Sequence, residues 1–275
     1  METPINSWSC RKSSTSGRVF DFNSAIVRKP ARSVINGLRA NAGPGPTFEG
    51  VAAEHRAYVA ALEAAGVQVT TLEALEAFPD SIFVEDPALV FSRAAILLRP
   101  GAPSRQGETE ELCATLSARF ANVLRLSEGY ADGGDILVTP RRVLIGLSSR
   151  TDVPGGAALQ KLLQSIGHES DVVRVPAGTL HLKSDCSMVD EETILASAAL
   201  AKSGLLDGYR LLTPPDDEQH ACNAVRVNDH VLMRAGCPRT HEMLVKQGLD
   251  VVALPTDQIA RIDAGLSCMS LRWFA

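Results

Sequence analysis

The 275-residue chain has no excess of basic charge: 27 Lys and Arg against 32 Asp and Glu leave a formal net charge of −5. A surface of that sign excludes general binding to a phosphate backbone, which needs clustered cations. No apolar run reaches the roughly 18 residues of a membrane span. The longest, Ile194 to Ala201, is less than half that length and contains Ser197. The first 22 residues lack an apolar core, which excludes a secretory signal. They are expected to form a frayed, disordered tail ahead of one domain over residues 23–275. Glu2 and Asp21 speak against an organelle transit peptide. The six cysteines include no C-x-x-C pair. A reduced, cytoplasmic chain is expected, with most thiols acting as small buried apolar groups. The six histidines form neither HExxH nor H-x-H, so zinc has no support in the sequence. Both common glycine-rich phosphate loops are missing, which removes the main evidence for the usual nucleotide-binding folds.

What the chain does have is a weak internal repeat: an apolar strand, a short polar turn, a second apolar strand, then a helical stretch. Copies read EDPALVF-SR-AAILLRP (85–100), GGDILVT-PR-RVLIGLS (133–148), DCSMVD-EE-TILAS (185–197) and CNAVRV-ND-HVLMRAG (222–236). A last strand, SCMSLRW (267–273), has no partner after it, and SAIVRKP (24–30) is the expected one. Such a pairing zips the two ends together and closes a ring, leaving no open edge. Helices are expected over 49–65, 107–120, 155–166 and 239–247, from apolar residues at helical spacing with glycines after three of them. The fold class is therefore α/β, a five-unit propeller. Asp86, Asp135, Asp185, Asn223 and Cys268 all lie near the start of a first strand. Those starts converge on a propeller axis, and polar groups repeated there are costly unless they face solvent or a ligand.

Cys268 follows Gly265 at the head of an apolar strand. Most cysteines of this kind are buried packing groups, but this position favours exposure to the axis. His181 is flanked by Leu180 and Leu182; alternation along a strand would turn it away from both. Imidazole is the usual partner of a thiol nucleophile. Lys183 shares that face and is expected to be solvated. Acids gather in FPDSIFVEDP (Asp80, Glu85, Asp86) and in YADGGD (Asp132, Asp135). Turn capping explains such acids one at a time, Asp135 as readily as not. A buried group of them calls for a cationic partner, and planar, weakly hydrated guanidinium fits. Arg105 and Arg150 follow hairpins and are surface residues by default. With the acids they suggest a zwitterionic ligand.

Taken in order, VRKPARS, FPDSIFVEDP, RPGAPSR, DGGDILVT, GLSSRT, LHLKSDCSM and SCMS resemble the dimethylarginine dimethylaminohydrolases of the guanidine-modifying (pentein) superfamily. The resemblance runs from about Asn23 to Trp273. It implies a five-bladed α/β propeller that hydrolyses Nω-methylated L-arginine (asymmetric dimethylarginine, monomethylarginine) to L-citrulline and dimethylamine or methylamine through a cysteine thiouronium. Cys268 would be the nucleophile, His181 the general acid/base, and Asp132 the carboxylate that orients the histidine. Glu85 and Asp86 would bind the guanidinium. Asp80 and the Leu38 carbonyl would hold the α-amine, Arg105 and Arg150 the α-carboxylate, and Ile262 would add a backbone contact. No cofactor and no metal are implied, nor a nucleic-acid or membrane partner; a monomer or homodimer is expected. Gln106 departs from a basic residue common in the family. Arginine deiminase, amidinotransferase and a non-catalytic propeller binding protein are the alternatives. The last usually lacks the Cys, His and Arg set retained here.

Overall fold

The structure, a computed structural model, describes residues 17–40 and 43–275. Its strands, in chain order, are β1 (Ser24–Arg28), β2 (Gln68–Leu72), β3 (Ala88–Val90), β4 (Ala94–Leu97), β5 (Asn122–Arg125), β6 (Ile136–Val138), β7 (Val143–Leu147) and β8 (Ser170–Arg174). They continue with β9 (Cys186–Met188), β10 (Thr193–Ala196), β11 (Arg210–Leu212), β12 (Val225–Val227), β13 (His230–Arg234), β14 (Asp250–Leu254) and β15 (Leu271–Trp273). The α-helices are α1 (Phe48–Ala64), α2 (Glu110–Ser117), α3 (Val153–Ser165), α4 (Ala198–Ala201) and α5 (Pro238–Lys246).

These strands form five three-stranded sheets: β15-β1-β2, β3-β4-β5, β6-β7-β8, β9-β10-β11 and β12-β13-β14. The architecture is a five-bladed α/β propeller. In every blade the first two strands pair antiparallel and the third is parallel to the second. A parallel neighbour needs a crossover, and one α-helix supplies it in each blade. The expected ring closure is present: Ser24 faces Trp273 and Ile26 faces Leu271 in antiparallel register.

The third strand of each blade is absent from the repeat read in the sequence. Segments such as QVTTL and NVLR are half-exposed and bury no continuous apolar face, so alternation gives them little signal. Helix ends follow the sequence more closely. Thr47 caps α1 by accepting from Gly50 N at 3.1 Å, and Gly66 follows the helix at φ 85°, a conformation a side chain resists. Apolar residues form five clusters, and most of them combine residues of adjacent blades. That packing holds the first strands, and the loops before them, in fixed relation to one another.

Of the tail expected over 1–22, residues 1–16 lie outside the described residues. Residues 17–22 instead pack on the propeller, because Phe20 is apolar and buried and Phe22 N donates to Asn228 Oδ1 at 2.8 Å. Among the described residues no helix is long and apolar enough to cross a membrane.

Candidate active site

Each blade sends one short segment to a common junction. Cys268 lies in a 3₁₀ turn (Ser267–Met269) just before β15, and Glu85 and Asp86 precede β3. Asp132 precedes a 3₁₀ turn (Gly133–Asp135) that leads into β6. His181 precedes another (Leu182–Ser184) ahead of β9, and Asn223 lies before β12. His181 is thus extended but not within a strand; its orientation comes from a turn and from Asp132.

Backbone bonds stitch the segments together. Glu85 N donates to Cys268 O at 3.2 Å, and Gly133 N donates to Asp86 O at 3.0 Å. The glycines of DGGD are close-approach residues. A Cβ on Gly133 would lie 2.0 Å from Glu85 O, and one on Gly134 would lie 2.7 Å from His181 Nδ1. Any side chain at either place would push the junction apart.

His181 Nε2 and Asp132 Oδ2 are 3.0 Å apart, with Asp132 fully buried. Asp132 Oδ1 accepts from Gly101 N at 2.7 Å, so this carboxylate is fixed at both ends. Burial works against the imidazolium. Asp86, Asp132 and Asp135 outweigh it and raise His181 to about 9, so the ring is charged at neutral pH. Burial pushes the Cys268 thiol up to about 12, and the charges of Glu85 and Asp86 add to the effect. His181 Nδ1 and Asp86 Oδ1 both lie against Gly134, and Glu85, next to Asp86 in the chain, donates its N–H to the Cys268 carbonyl, which brings the segments that carry thiol and imidazole to one junction. Lone thiolate is therefore disfavoured here, whereas a bound cation would be favoured by the same acids.

Lys183 is not solvated as expected: its Nζ bonds Glu85 Oε1 at 2.5 Å, and the side chain is 14% exposed. A short polar turn precedes β9, and the buried Glu85 carboxylate draws the ammonium inward. Ser267 Oγ donates to Glu85 Oε2 at 3.1 Å. Asn223 accepts from Ser267 N at 3.1 Å and brings its amide nitrogen within 4.0 Å of Cys268 Sγ. Its place in the repeat is the only sequence signal for it. Asp135 is a structural acid: it accepts from Leu182 N (2.9 Å), Ser148 Oγ (2.6 Å) and Thr151 Oγ1 (2.7 Å). Asp185 accepts from Thr179 Oγ1 at 2.7 Å.

Asp80 accepts from Leu38 N at 3.0 and 3.3 Å, which ties the segment after β1 to the site. Ile262 is buried and lies against Gly37 in the same segment. Arg105 is not a surface residue. It is 4% exposed, and its guanidinium is bonded to Asp86 and to Glu108. No motif or spacing singles out Glu108, which stands among several acids at the opening of a helix. Arg150 is half-buried and close enough to Asp80 to favour its charge, although burial dominates and raises the Asp80 carboxyl. Ligand atoms of Asp86, Asp132 and His181 lie within 4.8 Å of one another. That triad has the spacing to hold a metal ion, but Asp132 is engaged with His181 and Asp86 with Arg105.

Comparison with known proteins agrees with this geometry. A family model described as "N,N dimethylarginine dimethylhydrolase, eukaryotic" matches residues 46–194. The N(G),N(G)-dimethylarginine dimethylaminohydrolase of Pseudomonas aeruginosa is 36% identical, over 92% of this chain and all of that one. The chain belongs to the dimethylarginine dimethylaminohydrolase family. The enzyme of that name from Streptomyces coelicolor is 31% identical, over 90% of this chain and 96% of its own. A solved structure of the Pseudomonas aeruginosa enzyme, a cysteine-to-serine variant complexed with citrulline, superposes with a TM-score of 0.89 over 92% of this chain and all of that one. The N-terminal domain of a cyanobacterial arginine dihydrolase, 18% identical, shares the fold with a TM-score of 0.80 over 90% of this chain and 96% of its own. The protein is a hydrolase of the family, with the pentein fold.

Proposed function

We propose that the protein hydrolyses Nω-methylated L-arginine to L-citrulline and a methylamine, with Cys268 as nucleophile. The observation that carries this reading is the meeting of one thiol, one imidazole held by Asp132 and the Glu85–Asp86 pair at a junction of all five blades. Glu85 and Asp86 take the substrate guanidinium. Its charge beside Cys268 lowers the thiol from about 12, and the proton leaves. The thiolate attacks the guanidinium carbon. His181, charged below about 9, gives its proton to the departing nitrogen, and dimethylamine or methylamine leaves a cysteine thiouronium. Neutral His181 then takes a proton from water. The oxygen adds to the same carbon, the C–S bond breaks, and citrulline is released. Asp132 keeps the imidazole oriented through both steps. Arg105 and Arg150 bind the α-carboxylate. Asp80, the Leu38 carbonyl and the Ile262 backbone hold the α-amine end.

The test is a product analysis with arginine, monomethylarginine and both dimethylarginines. Citrulline with dimethylamine or methylamine is expected. Ammonia released from unmethylated arginine alone, or amidino transfer to an added amine, would overturn the assignment.

Asp80→Asn removes one charge and keeps the shape. Loss of a hydrogen bond to a charged amine costs about 1.5–3 kcal/mol, so KM should rise about 10–100-fold while kcat changes little. Steady-state kinetics check this; an unchanged KM would remove Asp80 from the amine subsite.

A further inference from the structure

Arg105 and its carboxylate partners form an arrangement that the proposed chemistry leaves unexplained. The guanidinium is held along one edge by Glu108: Nε donates to Oε1 at 3.0 Å and Nη2 donates to Oε2 at 2.7 Å. Nη2 also donates to Phe83 O at 2.9 Å, with Asp80 O at 3.3 Å. Nη1 bonds Asp86. A guanidinium has five N–H bonds. Glu108 and Phe83 account for Nε and both protons of Nη2, and Asp86 takes one proton of Nη1. One Nη1 proton is left for a ligand. The forked pair with Glu108 is planar and fixes which corner that is. Glu108 is 2% exposed, so no water competes for the fork.

Asp86 is a partner of Arg105 in the free protein and is also, with Glu85, proposed for the substrate guanidinium. The α-carboxylate brings Arg105 a charge of its own, so what Glu108, the other carboxylate bonded to Arg105, adds is a fixed position for the guanidinium while Asp86 is shared with substrate.

We infer that Glu108 is a positioning residue of the substrate site: it holds Arg105 by the Nε–Nη2 edge and aims the Nη1 corner at the α-carboxylate. This rests on the carboxylate role proposed for Arg105. Glu108 touches no substrate and acts through Arg105 alone. Its helix-opening neighbour Thr109 has a separate task, donating from Oγ1 to Leu98 O at 2.9 Å.

The test compares two substrates in wild type and in Glu108→Gln. One is asymmetric dimethylarginine; the other is Nω,Nω-dimethylagmatine, which keeps the amine and lacks the carboxylate. The quantity read is the ratio of kcat/KM between the two. In wild type the ratio is expected to be large. In Glu108→Gln it should fall on the order of 30-fold, as when one partner of a buried charge pair is lost, with the change in KM for the amino acid and kcat within a few-fold. A general loss of stability would lower both substrates together and leave the ratio unmoved. A wild-type ratio near one would overturn the role of Arg105 and this inference with it. A large wild-type ratio that Glu108→Gln leaves intact would overturn the inference alone. If Glu108→Gln does not fold, Glu108→Asp replaces it; the shortened side chain should lower the ratio about tenfold, and an unchanged ratio counts against the inference equally.

Discussion

Replacing Cys268 with serine is expected to lower kcat on the order of 10⁴–10⁶-fold, the scale seen when a covalent nucleophile is removed. A hydroxyl in the same place has a far higher pKa than a thiol. The cation that lowers a thiol from about 12 cannot ionise an alcohol in the same acid-lined setting. Folding should be unaffected, because serine differs from cysteine by a single side-chain atom and the backbone carbonyl of residue 268, which accepts from Glu85 N, is untouched. Binding should persist too, since Glu85, Asp86 and the arginines remain. Turnover by citrulline formation and binding by calorimetry separate the two effects. A serine variant with near-normal turnover would end the assignment.

His181→Ala is expected to cost roughly 10²–10⁴-fold in kcat/KM with dimethylarginine, the usual contribution of one general acid/base. The pH profile gives a sharper signature. At neutral pH the free site holds two protons, one on the thiol (about 12) and one on the imidazole (about 9). The reacting state holds one, on His181. One proton must therefore leave, and kcat/KM should rise with pH up to about 9 and then level off. These values belong to the thiol–imidazole pair together. Without His181 the only remaining ionisation is the thiol's, so the rising limb should move toward higher pH. A wild-type profile that falls between pH 7 and 9 would contradict a protonated thiol beside a charged imidazole in the free enzyme.

Much of this was legible in the sequence because repetition multiplies a weak signal. One ALVF-SR-AAIL hairpin is ambiguous, but four at similar spacing, with unpaired strands at both ends, imply a closed ring. Asp86, Asn223 and Cys268 were visible beside the first strands for the same reason. The repeat pointed equally to Asp135 and Asp185, which accept hydrogen bonds from neighbouring backbone and hydroxyl groups, while Asp132 and His181 stood out only through their own motifs. The third strands were not visible: they sit at blade edges, half in water, where burial imposes no alternation. Nor was the behaviour of charged residues at the junction. Sequence treats Lys183, Arg105 and Glu108 as solvated by default. In the fold, Glu85 draws in the first, while Asp86 and Glu108 enclose the second. Those are pairings across long separations or within turns, and no periodicity encodes them. Phe20 is the opposite case, an apolar residue in a polar-looking tail that packs on the body.

The central claim is the covalent step, and intact-protein mass spectrometry tests it most directly. S-Methyl-L-thiocitrulline carries a leaving group that needs no proton, so attack by Cys268 should proceed in His181→Ala while the water step stalls. Acid-quenched samples should then show one thiouronium-sized addition, mapped to the peptide holding Cys268 and absent from a Cys268→Ser, His181→Ala double variant. Consumption of the compound with the protein unmodified, or modified at a different cysteine, would contradict the covalent role of Cys268.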